Sequence, residues 1–133
     1  MKYLFALIMD ESGNADRTPE EGQEAMKAWD AFTTDTKDSG AFIAGEGLQP
    51  SATATTVEIP TEATGDPIVT DGPFAETKEQ LGGFYLLECA DLDEAISWAK
   101  KIPMLGGTVE IRPVMDYESA GSEAHSNEAG AAA

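Results

Sequence analysis

The chain is poor in cysteine, histidine and positive charge: 133 residues hold one Cys, one His, and eight Lys and Arg against 25 Asp and Glu. A lone cysteine, Cys89, excludes an intrachain disulfide and a multi-cysteine metal site, and it fits a reducing compartment. Within the apolar run FYLLEC it reads as a small core residue rather than a reactive thiol. A formal net charge of −17 repels phosphate backbones and anionic headgroups, so neither nucleic acid nor a membrane surface is expected as a partner. No apolar stretch approaches the roughly 20 residues that span a bilayer. The opening MKYLFALIMDESG lacks a small-residue cleavage site and runs directly into acids, so it reads as a first strand, and a cytoplasmic location is expected. A phosphate-cradling glycine loop, a nucleophile elbow and metal-ligand spacing are all missing, so no cofactor and no metal are expected.

What is present suits one globular domain, with 41% hydrophobic and 25% charged residues. Residues 2–9 form a strand pattern. A helix follows in RTPEEGQEAMKAWDAFTTDTKDSG, where Thr18 caps, Pro19 starts the first turn and Glu21 closes a capping box. Met26, Trp29, Phe32 and Thr33 fall on one stripe, and Gly40 supplies the stop. AFIAGEGL gives a second strand. In the Thr-, Ala- and Pro-rich stretch after Gln49, two β-branched runs flank TGD, which predicts an inserted hairpin over 55–59 and 67–70. GGFYLLECA is a third major strand, and DLDEAISWAKKIP a second helix with Asp91 as cap and Leu92, Ala95, Ile96 and Ala99 as its apolar stripe. Trp98 lies off that stripe, which places it at a rim. GTVEIRPVM is the last strand. The remainder, residues 116–133, is acidic and Ala-rich, with too little apolar surface to offset the entropy of ordering, and is expected to be a disordered tail behind a domain of residues 1–115.

The order strand, helix, strand, hairpin, strand, helix, strand is the βαββαβ order of a ferredoxin-like α+β fold, with both helices on one face of an antiparallel sheet. The two central strands are apolar on both faces: Tyr3, Phe5 and Leu7 oppose Leu4, Ala6 and Ile8, and Tyr85, Leu87 and Cys89 oppose Phe84 and Leu86. Helices cover only one side. About ten apolar side chains at ~1.5 to 3 kcal/mol each are too much to leave facing water. A second copy of the sheet, packed face to face, is the simplest cover, and the hairpin folded back as a lid is the alternative.

At VTDGPFAETKEQLGGFYLLECADLDEAISWAKKIP, followed by GTVEIRPVM, the chain closely resembles the DGPF group of the YCII-related family, and MKYLFALI and GEGLQPSATATTVEI look like the same group. The resemblance implies a ferredoxin-like subunit in a dimeric α+β barrel. It also implies association with extracytoplasmic-function sigma factor pathways and no settled reaction. Better-studied members of the wider family carry a proposed His and Asp pair. Here the sole histidine is His125, in the expected tail, so that pair is not available to the folded domain.

Asp71 and Gly72 make a turn pair that Pro73 stiffens, and two readings stand beside each other. In one the motif is a rigid corner, with Asp71 bonded to nearby amides and Phe74 plugging the core. In the other Asp71 is a general base or ligand acceptor at the mouth of a cleft. Glu76, Lys78 and Glu79 read either as a solvated helical turn ended by Gly82 and Gly83 or as ligand contacts. Tyr85 and Arg112 join them as ligand-binding candidates, although an ion pair with Glu110 also suits Arg112. Glu46, Glu88 and Glu110 are further carboxylates placed to border a cleft. These residues support a homodimer that binds a small molecule near Asp71, or, by analogy with isomerases and cofactor-independent monooxygenases of related barrels, a proton-transfer enzyme using Asp71 with Lys78 or Tyr85.

Overall fold

A computed structural model describes residues 1–14 and 17–117. The first strand, β1 (Lys2–Asp10), lies at the middle of the sheet, antiparallel to β5 (Glu79–Glu88) on one side and to β6 (Thr108–Pro113) on the other. β2 (Phe42–Gly47) closes the far edge of β5, giving the order β2-β5-β1-β6. Helix α1 (Pro19–Asp38) connects β1 to β2, and α2 (Leu92–Lys101) connects β5 to β6. Between β2 and β5, β3 (Thr55–Glu58) and β4 (Ile68–Asp71) pair only with each other. The fold is therefore α+β and ferredoxin-like, with an inserted hairpin.

Register explains the layers. Phe5 stands opposite Tyr85 and Ile111, Tyr3 opposite Leu87, and Leu7 opposite Val109, so these side chains share one face. They join Phe32 of α1 and Ala95 and Trp98 of α2 in a single buried cluster, which places both helices on that face. The reverse face carries Leu4, Ala6, Ile8, Phe84 and Leu86, none of them fully buried. The two-sided apolar pattern of the central strands is thus present in the fold.

The helix signals act as the sequence indicates. Thr18 Oγ1 accepts from the Glu21 amide at 3.1 Å, and Glu21 Oε1 accepts from the Thr18 amide at 3.3 Å. Asp91 Oδ1 accepts from the Glu94 amide at 2.9 Å. The buried faces, however, are rotated from the expected stripes. On α1, Phe32 is buried as expected, but Met26 is 67% exposed and Thr36 is buried in its place; the Thr36 hydroxyl donates to the Thr33 carbonyl at 2.7 Å, which satisfies it in the core. On α2, Leu92 and Ile96 are exposed while Ala95 and Trp98 are buried. Trp98 is a core residue, not a rim residue. Its indole meets Phe32 edge-on, centroids 6.0 Å apart, and so fills the space between the helices that the smaller aliphatic side chains would leave open.

Residues 76–79 are a second correction. They form no helical turn: residues 76–78 are irregular, with a bend at Lys78, and β5 begins at Glu79, opposite Asp10. Gly82 and Gly83 lie inside the strand, where the ladder slips between Leu7 and Ile8. A Cβ on Gly83 would sit 2.8 Å from the Glu46 carbonyl oxygen and one on Gly82 2.9 Å from the Met9 sulfur, so Gly83 lets β2 and β5 approach closely and Gly82 leaves room for Met9, instead of ending a helix. Among the described residues, no helix is long and apolar enough to cross a membrane, and no group of His, Cys, Asp and Glu is arranged to hold a metal ion. His125 lies outside the described residues.

Candidate functional site

On the helix side of the sheet, a cleft of about 1010 Å³ opens between α1, the β2 edge and the segment 103–107. Helical spacing builds its first wall: Trp29, Thr33 and Lys37 are four apart along α1 and therefore share a face. The floor comes from β5 and β2. Tyr85 lies across Gly45, where a Cβ would fall 2.8 Å from Tyr85 Cδ1, so only glycine leaves that ring its place. The Trp29 and Tyr85 rings are nearly parallel, 9° apart in plane with centroids 6.3 Å apart, and Phe32 meets Tyr85 edge-on from the core side at 5.1 Å. Tyr85 is fixed at its tip too, since its hydroxyl and Thr33 Oγ1 share a hydrogen bond of 2.7 Å. Leu7, Met9 and Met104 add apolar surface.

Charge is confined to the rim. Asp10, Glu21, Asp30 and Glu46 border the cleft together with Arg17 and Lys37. The Lys37 ammonium sits 5.0 Å over the Phe42 ring. Asp10 Oδ1 takes hydrogen bonds from the Ser12 amide at 2.9 Å and the Ser12 hydroxyl at 2.6 Å, and Lys78 Nζ stands 3.6 Å from Oδ2. The Ser12 bonds first, and the Lys78 charge behind them, hold the Asp10 carboxyl below its usual range. It is a committed carboxylate. Below it, Glu11 takes both the amide and the hydroxyl of Ser51 at 2.7 Å, which ties the segment leaving β2 to the end of β1.

The sequence candidates divide by location. Tyr85 lines the cleft, Glu46 borders it, and Lys78 reaches it through Asp10. Glu79 is exposed opposite Asp10, and Glu76 is exposed in the preceding segment. Arg112 lies on the reverse face, its Nε donating to Glu110 Oε1 at 2.8 Å, and Glu88 contacts the amino terminus of Met1 at the exposed end of the sheet. Asp71 ends β4 opposite Thr55 with its side chain exposed; Gly72 donates its amide to the Ala54 carbonyl at 2.7 Å, and Thr56 Oγ1 donates to the Gly72 carbonyl at 2.7 Å. Phe74 does not plug the core. It is 94% exposed, beside a shallow groove on the hairpin that Thr56, Ile59 and Pro73 also line. Asp71 and Arg112 therefore sit on different sheets, and neither lines the cleft.

The YCII-related domain profile matches residues 1–118. The chain belongs to the YCII-related family. This YCII-related protein is also 36% identical over 121 residues to an uncharacterised protein of Rhizobium meliloti (strain 1021), a match covering 89% of this chain and 95% of that one. Trp29, Asp10, Arg17, Asp30, Lys37 and the 103–107 segment are among the cleft residues that sequence reasoning did not single out as a site. For α1 a signal existed: Trp29, Thr33 and Lys37 repeat at the four-residue spacing of one helix face. For the segment PMLGG there was none.

Proposed function

We propose that this YCII-related protein binds a small molecule in the cleft under α1, with Trp29 and Tyr85 as its contact surface. The observation that supports this is the fixed aromatic floor: Tyr85 is held by Gly45, Phe32 and Thr33 in a concave space of ligand size, with polar groups at the rim. Binding is favoured over proton transfer, since Asp10 is committed to Ser12 and Lys78, and Asp71 is not beside Tyr85. The reading also includes a homodimer. Leu4, Ile43 and Leu81 are exposed and Ala6, Ile8, Phe84 and Leu86 half-buried away from the helices, an apolar face that a second copy of the sheet would cover. The buried lone Cys89 suits a reducing, cytoplasmic setting.

Thermal-shift screening of small metabolites against wild type, Trp29→Leu and Asp71→Ala tests the site. Stabilising hits lost in Trp29→Leu and kept in Asp71→Ala support the cleft. Hits lost only in Asp71→Ala move the site to the hairpin and refute it.

A further inference from the structure

The cleft pairs an aromatic floor with an acidic rim on an acidic molecule, and the two features select the same ligand. Aromatic faces carry negative potential at their centres and attract cations lying over them. The chain demonstrates this at the cleft wall, where the Lys37 ammonium already occupies the face of Phe42. Trp29 is half-buried at the cleft with the buried Tyr85 ring stacked behind it, and among the described residues no Lys or Arg lies over either ring. At the rim Asp10, Glu21, Asp30 and Glu46 stand against Arg17, Lys37 and the Lys78 that pairs with Asp10, which leaves an excess of carboxylates from α1 and β2. Around that rim the whole chain carries −17, a field that concentrates cations at a low-dielectric cleft and depletes anions. Leu7, Met9 and Met104 require an apolar body on whatever enters.

We propose that the ligand of this cleft is an organic cation with a planar or apolar body, of the arylalkylamine or quaternary ammonium class. Its ring or methyl groups lie against Trp29, with Tyr85 fixed behind that ring, and its charge faces Asp30 and Glu46. This deepens the cleft reading and rests on it.

Three probes sharing one ring separate the two claims: phenethylammonium, phenethyl alcohol and phenylacetate, titrated into the full chain while the Trp29 indole N–H resonance is followed by NMR. The ammonium probe binds about tenfold more tightly than the alcohol, and the acid binds weakest. Raising salt from about 20 mM to about 500 mM narrows the gap between ammonium and alcohol, because the field is screened. The double variant Asp30→Asn, Glu46→Gln narrows the same gap at low salt. If the alcohol or the acid binds as tightly as the ammonium, the cation class is overturned while the cleft remains a binding site. If none of the three moves the Trp29 and Tyr85 resonances of the folded protein, the cleft reading fails and this inference with it.

Discussion

The Tyr85 hydroxyl and the Thr33 hydroxyl stand 2.7 Å apart, joining the central strand β5 to helix α1 at the edge of the cleft. That single bond sets the tip of a ring whose flat side is already set by Gly45 and Phe32. Removing either hydroxyl, in Tyr85→Phe or Thr33→Val, should cost about 0.5 to 1.5 kcal/mol of stability. The double variant should cost less than the two together, because the same interaction is lost in each. Urea unfolding of the four proteins in the cycle measures this, and full additivity would contradict the shared bond.

Gly45→Ala should be destabilising by about 1 to 3 kcal/mol, since its new methyl would overlap the Tyr85 ring. Gly47→Ala, on the same strand, meets nothing within 4 Å and should be neutral or slightly stabilising. Midpoints of chemical unfolding compare the two, and equal effects would mean that Tyr85 yields freely.

Burial pushes the Cys89 thiol up from its ordinary 9.0 to about 11, with the nearby Glu94 and Glu88 charges adding to the effect. The folded state therefore keeps the proton that the unfolded chain begins to lose near pH 9. This contribution to stability is whole below that pH and declines as pH rises toward 11. At neutral pH, Ellman's reagent should label Cys89 only as fast as the protein opens globally. Rapid labelling of the native protein would place the thiol at the surface.

Asp10 has the opposite sign. Its carboxyl is held low by Ser12 and Lys78, so its contribution is present above the ordinary carboxylate range and lost as pH falls through the depressed value. Ser12→Ala should move the Asp10 titration, followed by carbon NMR, upward toward normal. Lys78→Ala should move it upward by less, because the Ser12 bonds are the larger cause.

On the helix-free face, Leu4→Glu puts a charge at a position 37% exposed in the single chain, opposite Leu86 on β5 and Arg112 on β6. Sedimentation velocity should show wild type at twice the 14.1 kDa chain mass and the variant at the single mass with its fold retained. A wild-type monomer at working concentration would remove the dimer from the account.

Much of the architecture was legible in local chemistry. The capping box at Thr18 and the Asp91 cap mark both helix starts, and the two-sided strands around Phe5 and Leu87 mark the centre of the sheet. The faces of the helices were less legible: Ala95 and Trp98 are buried while Leu92 and Ile96 are exposed, and apolar spacing does not measure the size of an indole. Glu76 to Glu79 looked helical from charge spacing, but pairing of Glu79 with Asp10 overrides that preference. The cleft was the least legible part. Trp29, Tyr85 and Met104 are brought together only by the tertiary fold, whereas Asp71 to Phe74 drew attention by crowding turn residues into four positions.

The cleft claim is tested most directly by amide and indole chemical-shift mapping of the full chain with the strongest hits from the thermal screen. The account predicts perturbations centred on Trp29, Thr33, Gly45 and Tyr85, spreading to Met104 and Asp10. Perturbations centred instead on Val57, Thr70, Asp71 and Phe74 would contradict it.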